Sequence, residues 1–179
     1  MTPGALVVAI ADRTVDLELV GGGTWSLPVG PLTLVERELD GADRPAPEQL
    51  TNALGIVSDH LDDVVRSSPM VSAAPHVVLV GDHAAALARV ELGTDEVPGD
   101  YTLDRADADE VFRTLVAEPI AQRIHNPGLD PERVESIVAT CCVVLAVMRR
   151  LELTEVAITT DADATRRSGT AGSPDRGDD

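Results

Sequence analysis

Residues 5–27 read ALVVAIADRTVDLELVGGGTWSL, and this stretch decides the fold. Its first part, residues 5–11, is short, apolar and bounded by Asp12 and Arg13, the pattern of a buried strand. In residues 14–20, Val15, Leu17 and Leu19 alternate with Asp16 and Glu18, the period of a half-buried strand. Gly21-Gly22-Gly23 then reads as a hairpin turn, and Thr24–Leu27 as a third strand. The triple glycine precedes no helix, so it is not a phosphate-binding loop. Three strands in sequence form an antiparallel meander.

The remaining segments attach helices and further strands to this meander. Residues 28–31 break the pattern, 32–39 are short and ambiguous, and 40–47 form a polar linker. Leu50, Leu54, Val57, Leu61, Val64 and Val65 mark one face of a helix over 47–66, with Pro47 at its first position. After a loop at 67–75, HVVLV at 76–80 reads as a strand buried on both faces. Gly81-Asp82 opens an alanine-rich helix over 83–92. Residues 93–100 read as a loop, 105–117 and 120–124 as helices, and 126–128 as a turn. Asp130-Pro131-Glu132 is a helix-start signature, and the helix is expected to run to about Leu151. Both its sides are apolar, so it should be sandwiched. A last strand is expected at 156–159, and residues 161–179 read as a disordered polar tail. The fold class is α/β: a mixed sheet of about five strands with flanking helices.

Charge limits the function classes. All 14 basic residues are Arg, against 31 acidic ones, for a net charge of −17. Such a chain repels nucleic acid, and Trp25, Tyr101 and Phe112 make no stacking platform. The N-terminal apolar run lacks a preceding cation and is short for a signal peptide, and no stretch is long enough to cross a membrane. Cys141 and Cys142 are adjacent in an apolar segment and read as buried small hydrophobes. A cytoplasmic protein without nucleic-acid or membrane partners is expected.

Two segments carry a resemblance. Residues 26–34, SLPVGPLTL, resemble the SLPLGA-x-RL segment of the exopolyphosphatase/guanosine pentaphosphate phosphohydrolase (Ppx/GppA) family. Residues 126–158, NPGLDPERVESIVATCCVVLAVMRRLELTEVAI, resemble that family's R-x-D-x-I-x-x-G helix–strand unit. The resemblance covers residues 4–160 and implies the second lobe of an actin-like (RNase H-like) ATPase fold. It also implies two phosphate loops, which this sequence alters. Against the family's D-I-G-G-G-S, the chain reads Ala9-Ile10-Ala11-Asp12-Arg13-Thr14, with Asp16 following. Against a Gly-Thr loop before a helix, it reads Gly81-Asp82-His83. Thr14, Asp16 and Gly81 are the phosphate-loop remnants.

Asp82 reads as a helix N-cap that takes the place of an anion. Two like charges ~4 Å apart near a surface repel by roughly 4 kcal/mol before screening. Asp12, Asp16, Asp82 and His83 form a candidate acidic metal cluster if the loops converge, the alternative being solvated loop acids plus a helix cap. His60, His76, His83 and His125 have no metal-ligand spacing. Arg149 and Arg150 suit the negative end of a helix dipole.

The resemblance also implies a missing first lobe, which in the family supplies the catalytic glutamate. The expected function is therefore a non-catalytic binding or regulatory protein without a cofactor. A homodimer or a protein partner is expected to cover an apolar lobe interface. The alternative is a Mg²⁺-dependent polyphosphate or pppGpp phosphatase, or a subunit of one, with its first lobe supplied by another chain.

Overall fold

The computed structural model describes residues 4–99 and 101–159. The expected disordered tail at 161–179 lies outside them. The chain runs β1 (Leu6–Ile10), β2 (Val15–Leu19), β3 (Thr24–Leu27), α1 (Pro31–Arg37), α2 (Pro47–Ser67), β4 (Val77–Val80), α3 (Asp82–Leu92), β5 (Tyr101–Asp104), α4 (Arg105–Ala117), α5 (Ile120–Arg123), α6 (Ile137–Arg150) and β6 (Glu155–Thr159). The sheet has six strands in the order β3-β2-β1-β4-β6-β5. The meander is antiparallel, β1, β4 and β6 are parallel neighbours, and β5 closes the far edge antiparallel to β6.

Three local readings are corrected. The sheet gains a sixth strand, β5, directly after the segment read as a loop; with four residues and one buried side chain, Leu103, it is too short to show a period. The ambiguous segment is helix α1, entered through Pro31 at its first turn. Asp130 does accept a bond from the Glu132 backbone N–H, yet only a 3₁₀ turn, Pro131–Arg133, follows; α6 starts at Ile137.

The sandwiched helix is found as expected. Residues 137–148 of α6 are all buried, with α1, α2, α3 and α4 packed about it. Cys141 and Cys142 lie in this layer as free thiols, and burial pushes both thiols up, Cys142 to about 12. Arg149 and Arg150 tie the end of α6 to its neighbours through ion pairs with Asp109 of α4 and Asp62 of α2.

Candidate functional site: the loops at the carboxyl edge of the sheet

Parallel strands bring their following loops to one edge, where open α/β sheets usually take ligands. β1 and β4 are in register, Ala9 opposite Val80, so the β1–β2 turn and the β4–α3 junction meet there. The sequence placed its candidate residues in these two loops.

The β1–β2 turn is a tight hairpin held from outside. The Ala11 N–H donates to the Thr14 carbonyl at 3.0 Å. From α1, the Leu32 N–H donates to the Asp12 carbonyl at 2.8 Å and the Thr33 hydroxyl to the Arg13 carbonyl at 3.3 Å. Arg13 makes a two-pronged ion pair with Glu36 at 2.6 and 2.8 Å. Gly30 allows the close approach, since a Cβ there would fall 2.7 Å from the Ala11 and Asp12 carbonyl oxygens. The Asp12 and Arg13 carbonyls and the Arg13 side chain are therefore engaged with α1, which fixes the turn in this conformation.

The β4–α3 junction turns on Gly81. Its φ of 103° suits glycine, and a Cβ would sit 2.9 Å from the Ile10 carbonyl oxygen. The remaining glycine is thus explained by backbone geometry alone. Gly81, not Asp82, occupies the N-cap position, and no side chain caps the helix. Asp82 is the first helical residue, and its exposed carboxylate lies 3.6 Å from Arg133. The N-cap reading of Asp82 is corrected: φ at Gly81 belongs to the capping position, and Asp82 points toward an arginine.

His83 joins the two loops. It is buried, and its Nε2 lies 2.8 Å from the Asp12 carboxylate. On the other side, Nδ1 lies 3.1 Å from the Thr140 hydroxyl of α6. Arg133 places one nitrogen 3.1 and 3.2 Å from the two ring nitrogens. Equal distances to both nitrogens, whose in-plane partners are Asp12 and Thr140, put the guanidinium over the ring face. Arg133 thus reaches Asp82, His83 and, at 4.0 Å, Asp12.

The composition Asp–His–Thr is that of a nucleophilic triad, but its accessibility is reversed. Thr140 is 1% exposed, whereas the outer end is the carboxylate. A buried hydroxyl cannot meet a substrate, so the row acts as a clamp between the turn, α3 and α6.

Of the sequence candidates, Asp12, Asp82 and His83 converge on Arg133. Thr14 and Asp16 stand apart: the Thr14 hydroxyl donates to Asp16 at 3.2 Å, and Ser26 donates to the other Asp16 oxygen. Among the described residues no group of three or more His, Cys, Asp or Glu side chains is placed to hold a metal. The donor set does not fit Mg²⁺, because the converging carboxylates face a guanidinium and an imidazole. Arg133, which organises the cluster, stands at the leading R of the R-x-D-x-I-x-x-G segment, and Thr140 at its glycine position, but nothing in that segment points to the two loops.

Burial holds His83 below the usual histidine range, and the charge on Arg133 adds to this; the bond to the Asp12 carboxylate opposes both without prevailing. The His83 bond holds the Asp12 carboxyl below its ordinary range, aided by the charges of Arg133 and Arg13. Below about pH 6.5 the unfolded chain takes up a proton at this histidine more readily than the folded one. The contribution of His83 is therefore complete above that pH and declines as pH falls toward the lowered native value. Thermal melts between pH 7.5 and about 5 should show this loss, and His83→Gln should flatten the profile. An unchanged slope in that variant would place the loss elsewhere.

No family model and no curated protein matches the chain. Solved structures do. The chain is similar to the Aquifex aeolicus PPX-GPPA enzyme, with a TM-score of 0.76 and 17% identity over 87% of this chain and 53% of that one. An exopolyphosphatase-like protein matches with a TM-score of 0.77 and 20% identity over 89% of this chain and 56% of that one. An exopolyphosphatase from Cytophaga hutchinsonii matches with a TM-score of 0.71 and 14% identity over 87% of this chain and 53% of that one. The chain spans about half the length of these proteins. Its mixed six-stranded sheet with flanking helices has the fold of a single actin-like lobe of the Ppx/GppA structures.

Proposed function

We propose that this chain is a non-catalytic relative of the Ppx/GppA phosphatases, a second-lobe-like domain with a cytoplasmic binding or regulatory role and no cofactor. The observation that carries this reading is the 2.8 Å bond between Asp12 and His83. It ties together the two loops that, by the sequence resemblance, would hold phosphate. The cation nearest that gap, Arg133, already faces Asp12 and Asp82. An incoming phosphate would be repelled by the Asp12 and Asp82 carboxylates, which flank this edge. In-line phosphoryl transfer also needs groups on the opposite side of the phosphate, and the described fold supplies one side only.

Incubation with polyphosphate or pppGpp and Mg²⁺ tests this by phosphate release. No release above the protein-free rate is expected. Turnover that changes with Asp12→Ala or His83→Ala would contradict the proposal.

The half-length match favours a second reading, in which another chain supplies a first lobe and activity exists only in the pair. Here the cheap discriminator is co-purification with the product of a neighbouring gene encoding a lone first lobe. The apolar surface expected for such an interface, or for a homodimer, is not prominent at the loop edge. Among the described residues the large exposed hydrophobic side chains are Met70, Leu92 and Ile124.

A further inference from the structure

Strand residues that belong to the core all lie on one face of the sheet. Leu6, Val8, Leu17, Leu79, Leu103 and Ile158 are examples, and the helices pack against this side. The register defines the opposite face. One row across it reads Thr24, Glu18, Val7, Val78, Ala157, Thr102, and the next includes Ser26, Asp16, Ala9 and Val80. Val7 and Val80 are buried yet outside the core cluster, Ala9 and Val78 are half-buried, and Ala157 is exposed. The sequence pattern of β4 implied a strand covered on both faces, and parallel strands are usually covered so. A groove of about 510 Å³ lies on this face, lined in part by Val7, Ala9, Asp16 and Glu18.

The middle of the face is small and apolar, and both edges are acidic. Asp16 and Glu18 stand on β2. On the far side Asp104 and Glu155 are directly opposed across β5 and β6, an arrangement in which like charges repel. Glu18, Asp104 and Glu155 have no ion pair or side-chain hydrogen bond among the described residues. From β2 to β6 is three strand spacings, roughly 14 Å at ~4.8 Å each. A helix about 10–12 Å across lies between such edges.

We propose that this sheet face docks an amphipathic helix of another protein. Small apolar residues of that helix sit over Val7, Ala9, Val78 and Ala157, and its Lys and Arg flanks pair with Asp16 and Glu18 on one side and Asp104 and Glu155 on the other. A second copy of this chain is disfavoured as occupant, since the same carboxylates would oppose one another in a pair of −17 chains. The inference is independent of whether the loop edge binds phosphate.

The test is anisotropy of a labelled helical peptide with an Ala/Leu stripe flanked on both sides by Arg, titrated with the full chain. Saturable binding that weakens with added salt is expected. The Glu18→Lys/Glu155→Lys variant should weaken it at least tenfold, and a Glu-flanked peptide should bind that variant better than the original. Ala157→Arg, a single exposed change, should also weaken the Arg-flanked peptide, with circular dichroism confirming that each variant is folded. Absence of saturable binding, or binding indifferent to the charge reversal, overturns the proposal. So does concentration-dependent dimerisation of the original chain that the charge reversal abolishes, which would make a second copy the occupant.

Discussion

Arg123→Met lowers the free energy of unfolding by about 1–3 kcal/mol, the range for buried polar groups left without a hydrogen-bond partner. Arg123 is 1% exposed, and among the described residues no carboxylate forms an ion pair with it. Four of its five N–H donors instead serve backbone carbonyls. Nε donates to Leu115 at 3.0 Å, one terminal nitrogen to Glu118 at 2.8 Å and Asp43 at 3.3 Å, and the other to Val134 at 3.4 Å. One side chain thus fastens the end of α4, the linker before α2 and the approach to α6. Methionine fills much of the volume but satisfies none of the four oxygens, so the cost is that of stranded buried acceptors. Urea unfolding followed by circular dichroism reads it directly. A loss below about 1 kcal/mol would mean that water replaces the guanidinium at those carbonyls.

Leu145→Ala is the second large effect, with a loss of about 2–5 kcal/mol. Most helices of a domain keep a wet side, but residues 137–148 of α6 have none. Leu145 is fully buried within a layer closed by helices on several sides, so the surroundings have little room to collapse into the space left behind. Met70→Ala, at a side chain 65% exposed, should change stability by no more than about 0.5 kcal/mol in the same assay. Equal losses in the two variants would contradict the sandwiched placement of α6. Against a total stability of about 5–15 kcal/mol for a native domain, either large loss is a substantial part of the whole.

The two large effects differ in how visible they are in the sequence. Leu145 announces itself, because its segment is apolar at every phase of the helical period and only a sandwiched helix can satisfy that. Arg123 does not. It sits in the short segment Ile-Ala-Gln-Arg, and no local pattern distinguishes a guanidinium bound to four carbonyls from one in water. The meander was legible for the same reason as α6: alternation in VDLEL and the continuous run before it are set by burial. Strand β5 was not, because YTLD is shaped by pairing with β6 more than fifty residues later.

The candidate site was legible in part. The altered loops located Asp12, Asp82 and His83, and these do converge. Their chemistry depends on Arg133 and Thr140, which the chain brings in from the 3₁₀ turn and α6 by tertiary packing. The sequence offered metal ligands or solvated acids as the two readings for this group. The structure gives a third arrangement, a buried imidazole bonded to a loop carboxylate under a guanidinium. The tight φ at Gly81 also moved the cap one residue, from Asp82 to the glycine, a distinction that lies below the resolution of composition rules.

Anion binding at the loop edge tests the central claim most directly. Calorimetric titration of the full chain with tripolyphosphate, with and without Mg²⁺, measures it without requiring turnover. With Asp12 and His83 joined and Arg133 facing two carboxylates, no saturable heat is expected at near-neutral pH. Saturable binding that His83→Gln or Asp12→Ala alters would contradict the account, because it would show an open, cationic site where the structure places a closed clamp.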